Sequence, residues 1–321
     1  MKQKLKVLIL LLVVSLFTGC YEYDTFESLT VVDKDCGKKI KEGSDLAYDR
    51  EKEILYILGD KGDLFTCSVI ADEKSITLKY LNSTKINHNM NSIDSEGLTL
   101  ISSKNEFVIS AEGNSTNSGI YSMNLEGEIT SKYSLPKYLE GAIYKGNNLK
   151  FEAVGYTEDF GIITATENPV NSESVLNQTI YSQDDKWLFQ AEDVYIDKNA
   201  DSFIENSVVA IADIRNSPKE ILVLERAYER KNIGFFPDVR FIITIKKLNL
   251  GICEDKKYSD NYKGKECDSL VLNKFETTSY SGNYEGLTEI KDGLFLMVND
   301  NQNTTFTQFK YFNIKNTSKD Y

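Results

Sequence analysis

One pattern recurs along this chain: an acidic residue opens a short β-type run, a turn follows, a second run returns, and another acidic residue stands just after it. "DLAYDREKEILYILGD" is bracketed by Asp45 and Asp60, "EGLTLISSKNEFVISAE" by Glu96 and Glu112, "EAVGYTEDFGIITATE" by Glu152 and Glu167, and "EGLTEIKDGLFLMVND" by Glu285 and Asp300. Their spacings are 15, 16, 15 and 15 residues. A fainter copy, "DIRNSPKEILVLE", runs from Asp213 to Glu225 at a spacing of 12. Two antiparallel strands joined by a tight turn bring the chain back to where it started, so the two acids of each unit belong at one end of a hairpin.

Repetition of this kind constrains the architecture more than any single motif. The units begin at 45, 96, 152, 213 and 285, and the rest of the chain supplies further short runs such as "EFVIS", "GIITA" and "EILVLE", bounded by Gly, Asn, Asp, Lys or Ser. That is the signature of strands and turns, with no amphipathic helix between them. The expected fold is all-β, a β-propeller, whose radially arranged hairpins bring the carboxylates to one mouth of a central channel. The units lie 51 to 72 residues apart, more than the ~40–50 residues of a four-stranded blade. A degenerate blade around "KWLFQAEDVYI" at 186–196 therefore gives six blades as the expectation, with five or seven as alternatives.

The N-terminus reads "MKQKLKVLILLLVVSLFTGC": lysines, a short apolar run, then small residues before Cys20. The run is too short for a spanning helix, which needs ~20 residues, and has the form of a secretory signal over 1–19. Thr18-Gly19-Cys20 resembles a bacterial lipobox, in which the cysteine is acylated and becomes the mature N-terminus; a plain signal peptide before an ordinary cysteine is the alternative. Residues 20–41 read as the acylated cysteine and its tether, 42–315 as the propeller and 316–321 as a tail. The four remaining cysteines suit an oxidising compartment, and pairing sequence neighbours gives Cys36–Cys67 and Cys253–Cys267, one of three connectivities. Without the leader there are 34 basic against 49 acidic groups, a formal charge of −15. Such a chain repels nucleic acid and anionic head groups, which leaves the acyl chain as its hold on the membrane. The expected location is the bacterial cell envelope, on the periplasmic side of the outer membrane if there is one.

A ring of Asp45, Asp60, Glu96, Glu112, Glu152, Glu167, Glu225, Glu285 and Asp300 is costly unless protons or cations offset its repulsion. Calcium suits it, with six to eight oxygen ligands in flexible geometry, and the carbonyls of Gly97, Gly113 and Gly286 are within the same motifs. Asp45, Asp60, Glu152, Glu167 and Glu225 are the candidate cation ligands, and Glu96, Glu112, Glu285 and Asp300 the candidate catalytic carboxylates. The competing reading makes each acid an acceptor for strand-end N–H groups, and each of these glycines a bulge or turn residue where strands crowd the axis. Strand alternation places Arg226, directly after Glu225, on the opposite side, where it reads as a salt-bridged structural arginine, with anion binding as the alternative if the strand ends there. His88 is the only histidine. Ser-His catalysis and zinc binding therefore lack raw material, and no P-loop, GxSxG or dinucleotide fingerprint is present.

The set "SEGLT", "ISAEGN", "IYSMNLEGEI", "FEAV", "LVLER" and "NYEGLTEI" with "FLMVNDNQ" resembles the phytase-like domain, the family of esterase-like activity of phytase, over residues of about 42–315. The opening hairpin "SDLAYDREKEILYIL" is also similar to the SdiA-regulated propeller group. Both resemblances imply a propeller, and the first implies phosphoester hydrolysis. Three functions follow as expectations: a cation-dependent phosphoesterase acting on a small-molecule phosphoester, a non-catalytic module with a structural calcium that binds a partner or envelope ligand, and a lactonase-like ester hydrolase.

Overall fold

A computed structural model describes residues 30–314, apart from 73–74, 88–92, 113–116, 145–149, 172–173, 193–202, 234–235, 260–261, 279–281 and 301–306. Cys20, Gly113 and His88 thus lie outside the described residues.

Five small sheets form a ring, a five-bladed β-propeller. Blade 1 holds β1 (Thr30–Lys34), β2 (Gly43–Asp49), β3 (Ile54–Gly59), β4 (Asp63–Ala71) and β5 (Ser75–Lys85). Blade 2 holds β6 (Asp94–Ile101), β7 (Glu106–Glu112), β8 (Gly119–Asn124) and β9 (Ile129–Lys132). Blade 3 begins with β10 (Phe151–Thr157), β11 (Gly161–Thr166), β12 (Asn177–Tyr181) and β13 (Lys186–Gln190). Blade 4 contains β14 (Phe203–Asp213), β15 (Glu220–Ile233) and β16 (Phe236–Asn249). A hairpin of β17 (Glu254–Ser259) and β18 (Tyr262–Glu266) then crosses to the edge of blade 3, before β19 (Ser269–Thr278) completes blade 4. Blade 5 is β20 (Asn283–Lys291), β21 (Leu294–Asp300) and β22 (Phe309–Asn313).

Among the described residues there is no sixth blade: the count is five, one of the alternatives above, and the long gaps hold insertions. "KWLFQ" is β13, the fourth strand of blade 3, and β18 lies parallel beside it with Trp187 opposite Lys265. The Cys253–Cys267 disulfide closes the base of the inserted hairpin. Cys36–Cys67 ties the four-residue helix Cys36–Lys39 to β4, so that residues 30–39, expected within a loose tether, fold onto blade 1 with β1 parallel to β5. Both disulfides match the pairing of sequence neighbours.

The apolar alternation of each strand buries side chains between blades rather than in one central core. Leu46, Leu55 and Ile57 pack on Leu294, Leu296 and Val298 between blades 1 and 5. Trp187, Phe189 and Ile163 meet Val208, Ile221 and Val223 between blades 3 and 4. Similar clusters fill the other three junctions. Inner strands adjoin in the order β2, β6, β10, β14, β20 and back to β2. Among the described residues no sheet joins strands from the two ends of the chain: blade 1 lies wholly within 30–85 and blade 5 within 283–313.

Each inner hairpin turns on a residue in the left-handed region: Glu53 (φ 55°), Asn105 (50°), Gly161 (70°), Asn216 (63°) and Gly293 (74°). At the far end of each hairpin the first strand carries one extra residue, a β-bulge. The register skips Ser44, Glu152, Val209 and Glu285, and in blade 2 Glu96–Gly97 stand opposite Ser110. Five bulges in equivalent places are what aim side chains at the channel mouth.

Candidate functional site

The bulge gives the repeated acids a common frame. Two positions before it, the first strand faces a residue of the second strand, and around the ring those second-strand residues are Asp60, Glu112, Glu167, Arg226 and Asp300. The bulged residues are Ser44, Glu96, Glu152, Val209 and Glu285. Four blades therefore deliver carboxylates to one mouth, and blade 4 delivers an arginine.

Oxygen atoms of Asp94, Glu96 and Glu112 come within 4.8 Å of one another, as do those of Glu112, Glu152 and Glu167. Two triads share Glu112. Burial pushes Glu96 well above the ordinary carboxylate range, and Glu152, Glu285, Asp60 and Glu112 add repulsion. Glu152 is raised likewise by burial and then by Glu167, against the pull of Arg226. Burial lifts Glu285 to about 8, Glu112 to about 7 and Asp60 to about 6. The backbone N–H of Lys150 donates to Glu112, and Ser44 Oγ donates to Asp60 at 2.5 Å.

Arg226 sits among these groups. Its Nη1 donates to Glu285 and, at 3.2 Å, to Asn283 Oδ1, while Nη2 lies 3.3 Å from Glu152 and 3.4 Å from Glu167. Asn283 Nδ2 bridges Glu285 at 2.6 Å and Asp300 at 3.4 Å. A guanidinium with five donors in a planar fork suits this crowd of acceptors.

Two acids expected in the ring are placed elsewhere. Asp45 is fully buried one residue past the bulge, where Gly97, Ala153, Ala210 and Gly286 stand in blades 2, 3, 4 and 5. Its carboxylate accepts the N–H groups of Leu46 (2.8 Å), Leu98 (2.8 Å) and Leu287 (3.2 Å), linking the inner strands of blades 1, 2 and 5. This is the strand-end acceptor reading, realised at one acid. Glu225 points to the opposite face of β15, where Lys246 Nζ meets it at 3.0 Å with both side chains wholly buried. Asn206 and the N–H of Glu192 also donate to it. The fifth sequence unit was read out of register: Asp213 pairs with Ile221 and Glu225 with Val208, so they occupy opposite ends of the hairpin. Asp213 lies at the other mouth, beside Arg50, Arg215 and Glu289 around a cavity of about 260 Å³.

Gly97 and Gly286 mark close approach. A Cβ on Gly97 would lie 2.6 Å from the amide N of Val154, and one on Gly286 2.7 Å from Cα of Asp45. Sequence reasoning missed Asp94, although it stands two residues before Glu96, and turned Arg226 away from the ring because strand alternation was counted from Glu225 as a ring member; the salt-bridged arginine it expected is found, with acids of the ring as its partners.

The donors of the two triads are all carboxylate oxygens, the chemistry of a hard cation, and with Arg226 nearby the mouth offers both oxygen ligands and an anion-binding guanidinium. None of the curated proteins compared matches the chain. Among solved structures, the chain is similar to the β-propeller domain of Myceliophteria thermophila Cps50 (Swd1), with 9% identity, TM-score 0.38, and coverage of 85% of this chain and 97% of that one. It is also similar to a chain of the outer coat vertex of COPII on membranes (7% identity, TM-score 0.38, 86% of this chain and 70% of that one). A chain of the COPII coat assembled on membranes gives 7% identity and TM-score 0.38, with 86% of this chain and 39% of that one covered. The family model described as Phytase-like, esterase-like activity of phytase, matches residues 38–303, a span that includes every acid of the mouth and Arg226. The bulged, acid-tipped blades are thus those of the phytase-like, esterase-like activity of phytase family, to which this chain belongs.

Proposed function

We propose that this chain is an exported, lipid-anchored phosphoesterase that depends on a divalent cation, calcium by its donor set, and works at the acidic mouth. The observation that carries the reading is the convergence of Asp60, Asp94, Glu96, Glu112, Glu152, Glu167, Glu285 and Asp300 on one mouth around Arg226. Asp94, Glu96, Glu112, Glu152 and Glu167 are the residues that would hold the cation. When bound, it supplies neutralisation of the carboxylates and polarises a phosphoryl oxygen. Arg226 orients the anionic group through its fork, and Glu285 or Asp300, across the mouth and linked by Asn283, takes the proton of an attacking water. Two disulfides fit the oxidising compartment that the leader implies.

Turnover of an aryl phosphodiester, measured while calcium is titrated, tests this. Activity should rise with calcium and fall at least a hundredfold in Glu285→Gln and Glu96→Gln.

A second reading has its own support: Arg226 already compensates Glu285, Glu152 and Glu167 from within. The same ring would then hold a structural calcium in a binding module. A calcium-dependent rise in melting temperature with no turnover of phosphoesters or lactones selects it, and lactone turnover alone selects the lactonase-like alternative.

A further inference from the structure

The second strands of the other blades stop at the mouth: β3 ends at Gly59, β7 at Glu112, β11 at Thr166 and β21 at Asp300. In blade 4 the equivalent residue is Arg226, and β15 continues for seven residues more, to Ile233. At ~3.3 Å per residue, that is an overhang of ~23 Å. The returning strand β16 keeps pace with it, Tyr228 opposite Phe241 and Arg226 opposite Ile243.

Register decides what this overhang offers. Arg226 and Tyr228 are two residues apart on β15, Ser207 is the cross-strand partner of Arg226, and Phe241 is that of Tyr228. All four belong to one face of the sheet, the face opposite the Glu225–Lys246 pair. Together with Glu167 of blade 3 they line a cavity of about 250 Å³. The rings of Tyr228 and Phe241 are 5.7 Å apart at 54° and both are half-buried, and Phe241 rests on the core between blades 4 and 5. The cavity therefore has an aromatic wall standing on a base of Arg226, Ser207 and Glu167.

We propose that Tyr228 and Phe241 form a subsite for the non-reacting ring of the ligand, so that the mouth takes a phosphoester bearing a single flat ring. This rests on the phosphoester reading above and deepens it. Two observations fix the class. The volume lies just below the ~300–1,000 Å³ usual for ligand sites, which suits one ring and excludes a dinucleotide. The acids around Arg226 repel a polyanion, whereas a single phosphoryl group can be held by the guanidinium and Ser207 with Glu167 offset by the cation. Hydroxyl and guanidinium groups at the base hold the polar end, and the ring stacks or packs edge-on against the aromatic wall.

The test uses the mature chain with calcium and two non-hydrolysable probes, phenylphosphonate and methylphosphonate, with dissociation constants from calorimetry. Phenylphosphonate should bind about tenfold more tightly, the scale of an aromatic pair. Tyr228→Ala should erase that preference and Phe241→Leu reduce it, Tyr228→Phe should keep it, and methylphosphonate binding should be unchanged in all three. The rise in melting temperature with calcium should match wild type throughout, which reports an intact mouth. Equal affinity for the two probes in the wild type, or a preference that survives both Tyr228→Ala and Phe241→Leu, overturns the subsite and leaves the phosphoester reading in place. Failure of both phosphonates to bind the calcium-loaded protein overturns both.

Discussion

Arg226 of β15 donates to the carboxylate of Glu285, the residue that bulges from β20 in the next blade. The arginine replaces, in blade 4, the carboxylate that every other blade places at the end of its second strand. One cation thus serves Glu285, Glu152 and Glu167 together.

Removing that cation leaves three crowded acids uncompensated. Arg226→Met should cost about 3 kcal/mol in urea unfolding at pH 7.5 in EDTA, the scale for breaking a buried ion pair from one side. At pH 5 the deficit should shrink, because protonated acids no longer need the charge. An equal deficit at both values would mean that only packing was lost.

Asp45 makes a different prediction. Asp45→Ala strands three N–H groups between blades 1, 2 and 5, two of them from neighbouring inner strands. At ~1–3 kcal/mol for each unsatisfied buried group, a loss of about 3 kcal/mol or more is expected in denaturant. The rise in melting temperature on adding calcium should persist in whatever fraction folds, and its disappearance would return Asp45 to the cation site.

The carboxylates set the pH profile. Asp60 at about 6, Glu112 at about 7 and Glu285 at about 8 all stand above their ordinary values of 3.8 and 4.5. Between those limits the folded chain holds more protons than the unfolded one, so stability must fall as pH rises. In EDTA the melting temperature should decline steadily from pH 5 to 8, and calcium should remove most of the decline, since a ligand confined to the folded form stabilises it. A flat profile in EDTA would contradict the buried, mutually repelling ring.

The Cys253–Cys267 bridge closes a loop with a sequence separation of 14 residues. Replacing both cysteines by serine should cost on the order of 3 kcal/mol, with hydrogen exchange rising first in β17 and β18. The proposed lipid anchor has its own assay: Cys20→Ser should move the protein from the membrane to the soluble fraction and abolish labelling by fatty acid.

The legibility of this molecule follows from which signals are local. Hairpins whose two acids meet at one end are visible in sequence because alternation, turn residues and spacing all lie within about sixteen positions. Blade number was harder to read, since β13 and the β17–β18 insertion carry the same strand composition as a true inner hairpin. The register of blade 4 was lost for a related reason. Its bulged residue is Val209, not an acid, so the nearest acidic pair, Asp213 and Glu225, imitated the repeat at the wrong phase. Asp45 misled in the opposite sense: a carboxylate at the right spacing stands one step past the bulge, and one step along a strand reverses its face.

The separation of the first and last described strands into different blades has a mechanical consequence. Among the described residues the junction of blades 5 and 1 carries no shared strand, and contacts across it include the Asp45–Leu287 hydrogen bond, the 2.6 Å contact of Arg50 with Glu289, the Thr307 to Gly37 backbone bond and the apolar layer around Leu46 and Leu296. These contacts join residues some 240 or more positions apart, so closing this junction carries a larger loop-closure cost than closing any junction between blades consecutive in sequence. That junction is therefore a latch: the closure that turns a row of blades into a ring, made wholly by contacts distant in sequence.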